Sequence, residues 1–422
     1  MNIKSRYQAI PVAEKYWWKL VALCFVGWIL MYADRTIFNP IMIVIGKEFG
    51  LSKSSLGLAN SIFFLTYAIA QIPFGMLGDK IGRRLVIMAG FLLFGVMTYF
   101  TGLASTFGIF LIVRAFAGIG QGAYYGPQYA LSTEAIPIKK LTLGTAIINS
   151  GMAFGTSGGF LLSSKLVLEN GEHWSKPFFV MAIPTVIVGI LFMVLLKEKI
   201  IRPEDQNKVA STAVASTEAT EKVSLKSIFQ NKRLLAAFAL CFCSIYANFV
   251  IITWLPTFLI EERGFAGSSV GFISSLVPWA SIPGALFFAL RADKTGSTKK
   301  IIFTLVPIAL ISTFSIAFVT NKSLLIFFLI LYGLTGKLAI DPIIVAFVAK
   351  NAPKGSLGTT LSAYNFIGMS GAILAPYITG FLADKFGTMK VGFYFAVALM
   401  LLGLLAFSTV KENKNVKEAK VS

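Results

Sequence analysis

Long apolar runs recur along this chain, separated by short polar segments, and that pattern decides most of what the chain can become. They fall at 18–40, 54–77, 85–104, 107–132, 142–164, 177–196, 233–259, 268–290, 301–319, 323–348, 357–382 and 390–410. A helix of ~20 apolar residues crosses the ~30 Å hydrocarbon core of a bilayer. With no water there to satisfy stray backbone groups, helices are the open-ended structure that can cross. The expected fold is therefore all-α and integral to the membrane, with twelve transmembrane helices. The interspersed Gly and Pro residues do not argue against it, because neighbouring helices re-satisfy freed backbone groups. Composition agrees: 56% of the residues are hydrophobic and only 14% charged, against about 25% charged in a soluble domain. A water-soluble enzyme of this length is excluded.

The net charge of +19 would suggest nucleic acid in a soluble protein. Here its distribution carries a different message. With twelve spans both ends of the chain lie on one side, and the segments on that side hold 27 of the 38 Lys and Arg residues, the opposite loops 8. The positive-inside rule then makes both termini cytoplasmic, in the cell (inner or plasma) membrane, and no nucleic-acid partner is expected. The first apolar run is too long for a signal peptide and carries Asp34 and Arg35, so it is expected to stay in the mature protein. Cys24, Cys241 and Cys243 all lie in apolar runs and read as small apolar residues. His173 falls in a loop. Trp17, Trp18 and Trp254 read as markers of the membrane interface.

Residues 197–232 are the longest polar stretch, low in complexity, and read as a mostly disordered cytoplasmic linker. They separate a half at 18–196 from a half at 233–410, with tails at 1–17 and 411–422. The halves resemble each other. GMLGDKIGRR at 75–84 corresponds to ALRADKTGSTKK at 289–300, and Asn149 in span 5 corresponds to Asn365 in span 11. A nearly constant offset argues for an internal repeat, a known plan for transporters with a midplane substrate site. Gly118, Gly122 and Gly126 in span 4, and Gly151, Gly155 and Gly159 in span 5, form small-residue stripes where helix backbones can meet.

A charge at mid-bilayer costs at least ~2.5–3.5 kcal/mol, so each one needs a reason. Five are candidates: Asp34 and Arg35 in span 1, Arg114 in span 4, and Lys337 and Asp341 in span 10. Lys337 and Asp341 are one turn apart and can pair; a gate or an anion contact at Lys337 is the functional alternative. Arg114 suits a structural or gating pair. Asp34 and Arg35 point ~100° apart on a helix, so each needs its own partner or a water cavity. The planar donors of Arg35 suit a carboxylate, and Asp34 can carry a proton. Tyr124, Gln128, Tyr246 and Asn365 are candidates for reading the hydroxyls of a solute. The described motifs hold no nucleotide loop, metal cluster or nucleophile–His–acid set, so no enzyme activity is expected.

GMLGDKIGRR, with Gly75, Asp79 and Arg83, resembles the loop 2–3 signature of the major facilitator superfamily. LIVRAFAGIGQG at 111–122 resembles that superfamily's span-4 motif. Tyr32, Asp34 and Arg35, the Trp254-Leu255-Pro256 sequence, and Asn365 with Gly368 and Gly371 are similar to its anion:cation symporter branch. The resemblance implies two pseudo-symmetric six-helix bundles working by alternating access. It implies proton-coupled uptake of a small organic anion such as a hexonate or hexuronate. Arg35 would bind the carboxylate, Tyr32 and Asn365 would contact the solute, and Asp34 would serve coupling, with Asp341 the second candidate. Gly75, Asp79, Arg83, Arg114 and Lys337 would serve gating. Members of the branch carry a glutamate in span 4; here Gln121 occupies that neighbourhood. No cofactor is expected beyond the proton gradient, sodium being the other possible driving ion, and a monomer in the lipid bilayer is expected. The alternative is an exporter or exchanger of another small solute, a drug or a sugar phosphate. A fluorescent protein fused after Ser422 should mature in the cytoplasm, whereas alkaline phosphatase at the same point should be inactive; the opposite result would reverse the topology.

Overall fold

The structure, a computed structural model, describes residues 10–11, 15–198, 200–201, 225–295, 297–353 and 356–410. Eleven helices among them are long and apolar enough to cross a membrane: Tyr16–Phe49 (span 1), Lys53–Ile81 (2), Arg83–Gly102 (3), Phe107–Ala135 (4), Lys176–Leu195 (6), Lys232–Arg263 (7), Ser268–Ala292 (8), Thr298–Phe318 (9), Lys322–Asn351 (10), Leu357–Phe386 (11) and Lys390–Ser408 (12). The expected fifth span is the helix Leu141–Ser163, prolonged by a π-helical turn at Ser164–Glu169. Its glycines, serines and threonines make it less apolar than the others, which suits packing against protein better than facing lipid. Of the expected linker, 202–224 lies outside the described residues, as do most of the N-terminal tail and the C-terminal tail; Leu225–Gln230 forms a short helix. Ile10–Pro11 and Ile200–Ile201 make a two-residue parallel pairing.

The chain separates into two compact units, one of Met1–Phe38 with Ile62–Glu218, the other of Asn39–Ser61 with Ala219–Ser422. In the first, span 1 packs along span 5, and span 3 packs against spans 4 and 6. The glycine stripe of span 5 explains the first contact. A Cβ on Gly151 would lie 2.5 Å from the Phe25 carbonyl, one on Gly155 2.3 Å from that of Ile29, and one on Gly159 2.6 Å from that of Ala33. Only hydrogen fits there, so span 5 fixes the height and rotation of span 1 just before Asp34 and Arg35. Span 4 uses its stripe in the same way: a Cβ at Gly118 would lie 2.4 Å from the Phe63 carbonyl of span 2.

In the second unit span 7 packs against spans 11 and 12, and span 8 against span 10. The tip of the first hairpin, 39–61, belongs here. The backbone N–H groups of Lys53 and Ser54, opening span 2, donate to the two oxygens of Asp384 at 2.9 and 2.7 Å, which caps that helix with a carboxylate. Lys53 also pairs with Glu261 at 2.9 Å. Trp254 corrects an expectation. It is fully buried, and its indole N–H donates to the Pro376 carbonyl at 3.0 Å, so it ties span 7 to span 11 rather than marking an interface. Trp17 is also buried, stacked on the exposed Trp18. Gly155→Leu should lower the melting temperature in detergent by many degrees. Gly158→Ala, three positions on with nothing within 4 Å of the added methyl, should leave it unchanged or raised; equal melting of the two variants would remove the packing argument.

Candidate functional site

Span 1 is broken at Ile37, between the helical pieces Tyr16–Thr36 and Phe38–Phe49. Pro40 supplies the cause: its ring displaces the carbonyl of residue 36, and it has no N–H to offer that carbonyl. Asp34 and Arg35 occupy the last turn before the break, both buried. Span 4 is broken in the same manner at Ala123–Tyr124, four and three residues before Pro127.

Gln121, near the end of the first piece of span 4, resolves how two adjacent opposite charges pointing apart are both satisfied. Its amide N–H donates to Asp34 Oδ2 at 2.8 Å, and its amide oxygen accepts from Arg35 Nε at 2.8 Å. The orientation of the amide is dictated by its partners, since a carboxylate only accepts and a guanidinium only donates. Asp34 Oδ1 accepts from the Thr98 hydroxyl of span 3 at 2.6 Å. Arg114 lies 3.9 Å from Asp34 Oδ2, with both side chains at 1% exposure or less, and its guanidinium stands 4.6 Å from the centre of the Phe63 ring. Asp34 is thus the common acceptor of spans 1, 3 and 4.

Arg35 is held differently. Gln121 fixes its Nε, and four rings of spans 1 and 2 surround its guanidinium: Tyr67 at 4.4 Å, Tyr32 at 4.7 Å, Phe64 at 5.7 Å and Phe63 at 6.0 Å. Its Nη2 is buried without a hydrogen-bond partner among the described residues. Buried donors are nearly always paired, and aromatic faces attract the cation without accepting its N–H groups as an anion would. The arrangement is an anchored, buried cation with one unpaired donor.

The other sequence candidates separate into groups. Tyr124 and Gln128 are buried and already engaged: the Tyr124 hydroxyl donates to the Cys24 carbonyl at 2.8 Å, and Gln128 accepts from the Trp28 indole at 3.2 Å and donates to Ser132. Tyr124 packs among Trp28, Phe91 and Phe192. Tyr246 is buried beside Phe242 and Phe395, and Asn365 is exposed on span 11. Arg83 bonds Asp79 of its own loop at 3.2 Å and pairs with Glu134 at the end of span 4. Gly75 lies against Gly126. Lys337 pairs with Asp341 at 3.6 Å, and Tyr364 donates to Asp341. Sequence reasoning missed Tyr67, Phe63 and Tyr364. The available signal was a tyrosine inside an apolar run, which is weak on its own.

Buried, hydrogen-bonded charges inside a bundle of apolar helices, with one unpaired cationic donor, are the kind of interior that solute pathways through membranes use. The pattern of the Major Facilitator Superfamily matches residues 24–376 and 264–421, and the chain belongs to that family. It is 25% identical to the hexuronate transporter of Bacillus subtilis (strain 168) over 407 residues, 92% of this chain and 93% of that one. It is 25% identical to the chloroplastic sodium-dependent phosphate transport protein 1 of Arabidopsis thaliana over 276 residues, 63% of this chain and about half (52%) of that longer relative. A solved structure of a bacterial homologue of the human lysosomal transporter Spinster, inward-facing and unoccupied, superposes with a TM-score of 0.79 at 16% identity, covering 94% of this chain and 97% of that one.

Replacing Gln121 by Leu would strand Asp34 Oδ2 and Arg35 Nε, each at about 1–3 kcal/mol, and should lower the melting temperature at every pH. Gln121→Glu should be tolerated in acid and destabilised in alkali, because two carboxylates so close cannot both ionise. A pH-independent melt for Gln121→Glu would contradict the bridging role.

Proposed function

We propose that this chain is a secondary transporter that takes up a small organic anion, in the first instance a sugar acid such as a hexuronate, in the cell membrane and coupled to protons. The observation that carries the reading is the buried guanidinium of Arg35, fixed at Nε by Gln121 and unpaired at Nη2. A carboxylate accepts from that edge through charge-assisted bonds, and the surrounding rings offer the apolar flank of a sugar-ring solute a surface. The full-length similarity to a protein named for hexuronate transport supports the same class. Asn365, exposed on span 11, and Tyr32, beside Arg35, are the proposed hydroxyl contacts. Alternating access with Asp79, Arg83 and Arg114 as conformational contacts, both termini in the cytoplasm, and a monomeric unit complete the proposal.

Coupling to sodium and transport of inorganic phosphate is the second reading, favoured by the name of the plant relative. Reconstituted vesicles separate the two. An inward proton gradient should accumulate glucuronate or galacturonate, and a sodium gradient at constant pH should not; phosphate uptake on sodium alone would replace the first reading with the second. Arg35→Ala should weaken sugar-acid binding roughly 10–100-fold, measured calorimetrically on protein that still melts cooperatively. Wild-type affinity in that variant would remove Arg35 from the site.

A further inference from the structure

The tip of the first hairpin is fastened at a few points, and each fastening has a cause in the sequence. The chain leaves the first unit after Phe38 and rejoins it at Ile62; between these points it belongs to the second. Pro256, in the Trp254-Leu255-Pro256 sequence of span 7, has no N–H for the carbonyl one turn before it. That carbonyl, of Ile252, accepts from the Asn39 amide at 3.1 Å, and Asn39 Oδ1 accepts from the Asn60 amide at 2.9 Å. Both arms of the tip are thereby joined to the freed carbonyl. On span 11 the fit is reciprocal. A Cβ on Gly57 would lie 2.2 Å from the Pro376 carbonyl, and one on Gly380 would lie 2.4 Å from the Lys53 carbonyl. Trp254 donates to that same Pro376 carbonyl, so Trp254 and Pro256 together shape the seat.

At the end of the hairpin the ties are ionic and reached by water. Asp384 receives the N–H groups of Lys53 and Ser54, at the positive end of span 2. The Lys53 ammonium pairs with Glu261, the two side chains being 28% and 35% exposed. Such contacts exchange for water at little cost. The buried pair of Arg114 and Asp34 differs, because opening it would strand charges. We propose that 39–61 is a latch with Asp384 as its catch: the tip stays on spans 7 and 11 while access from outside is shut, and lifts off to admit solute. With both termini cytoplasmic, the tip faces the outside. The inference rests on the reading of the chain as a transporter working by alternating access.

Three successive residues at the end of span 7 divide the work. Arg263 is buried and donates to the carbonyls of Ile316 and Ala317, at the end of span 9. Glu262 accepts from the Met389 N–H at 2.6 Å and the Thr388 hydroxyl at 3.0 Å, at the start of span 12. These two hold the seat together, and Glu261 alone of the three reaches the tip. Movement therefore falls to the tip. Span 2 runs unbroken through Ile62 as Lys53–Ile81, so the latch and the rings of Phe63, Phe64 and Tyr67 around Arg35 lie on one helix. A solute that displaces those rings pulls on the latch.

Two measurements on the full chain test this, and the first needs no solute. Ala59, fully buried in the tip, is replaced by Cys, and its labelling by a membrane-impermeant maleimide added outside is followed by mass spectrometry. The native Cys24, Cys241 and Cys243 are buried. Adding Asp384→Ala should speed labelling roughly tenfold, the loss of a helix cap expressed as an opening equilibrium. Adding Gly57→Leu, which collides with the Pro376 carbonyl, should speed it independently. Equal rates with and without Asp384→Ala overturn the proposal whichever solute is carried. The second measurement separates a latch from a permanent brace. In the double variant Ser54→Cys, Asp384→Cys, oxidation should bridge the two positions and stop galacturonate uptake, and reduction should restore it. Uptake at an unchanged rate while bridged, or failure to bridge at all, overturns the proposal. If the wild-type chain carries no galacturonate, the sugar-acid reading falls, and the labelling rates still decide the latch.

Discussion

The amide of Gln121 is the interaction on which the first unit depends. Spans 1 and 4 bring three formal charges, Asp34, Arg35 and Arg114, into an interior with little or no exposed surface. Buried charges are tolerated when paired and hydrogen-bonded, and breaking such a pair costs ~3–5 kcal/mol. A neutral side chain that donates on one side and accepts on the other satisfies an anion and a cation that cannot reach each other. It does so without adding a charge of its own. The carboxylate is thereby committed to Thr98, Gln121 and Arg114, and the guanidinium of Arg35 is left with donors to spare.

That bridge needs span 1 and span 4 at fixed heights, and the glycine stripes supply the fixing. Span 5 meets the carbonyls of Phe25, Ile29 and Ala33 at Gly151, Gly155 and Gly159, and span 4 meets those of Phe63 and Tyr67 at Gly118 and Gly122. These contacts set the backbone of Tyr32 to Arg35 and of Phe63 to Tyr67, the two segments that supply the guanidinium and its ring enclosure. Small residues and buried charges are thus one construction: the first set the distances that the second require.

Much of this was legible in the sequence because charge stands out against an apolar background. Asp34, Arg35, Arg114, Lys337 and Asp341 are conspicuous in runs of Leu, Ile and Phe, and glycines four apart announce a flat helix face. Gln121 was visible as a departure from an expected glutamate, but its role was not, because bridging depends on what spans 1 and 4 place within 3 Å. Tyr67 and Phe63 were hidden for the opposite reason: an aromatic ring in an apolar run looks like packing whether it touches lipid or a guanidinium. Tyr124 and Gln128 look functional by polarity, yet they satisfy the Cys24 carbonyl and the Trp28 indole. Trp254 looked interfacial and is a buried tie between helices. Pairing of polar atoms across helices is a three-dimensional property that spacing along one helix does not encode.

The enclosure of Arg35 has a consequence for selectivity. An arginine side chain free in solution has ~2 kcal/mol of rotamer entropy to lose; here that loss was incurred on folding, when Gln121 and four rings took hold of the side chain. The cation is therefore a fixed point rather than a searching arm. Two anions of equal charge meet it with the same first handshake, and what distinguishes them is the angle at which the rest of each molecule must leave.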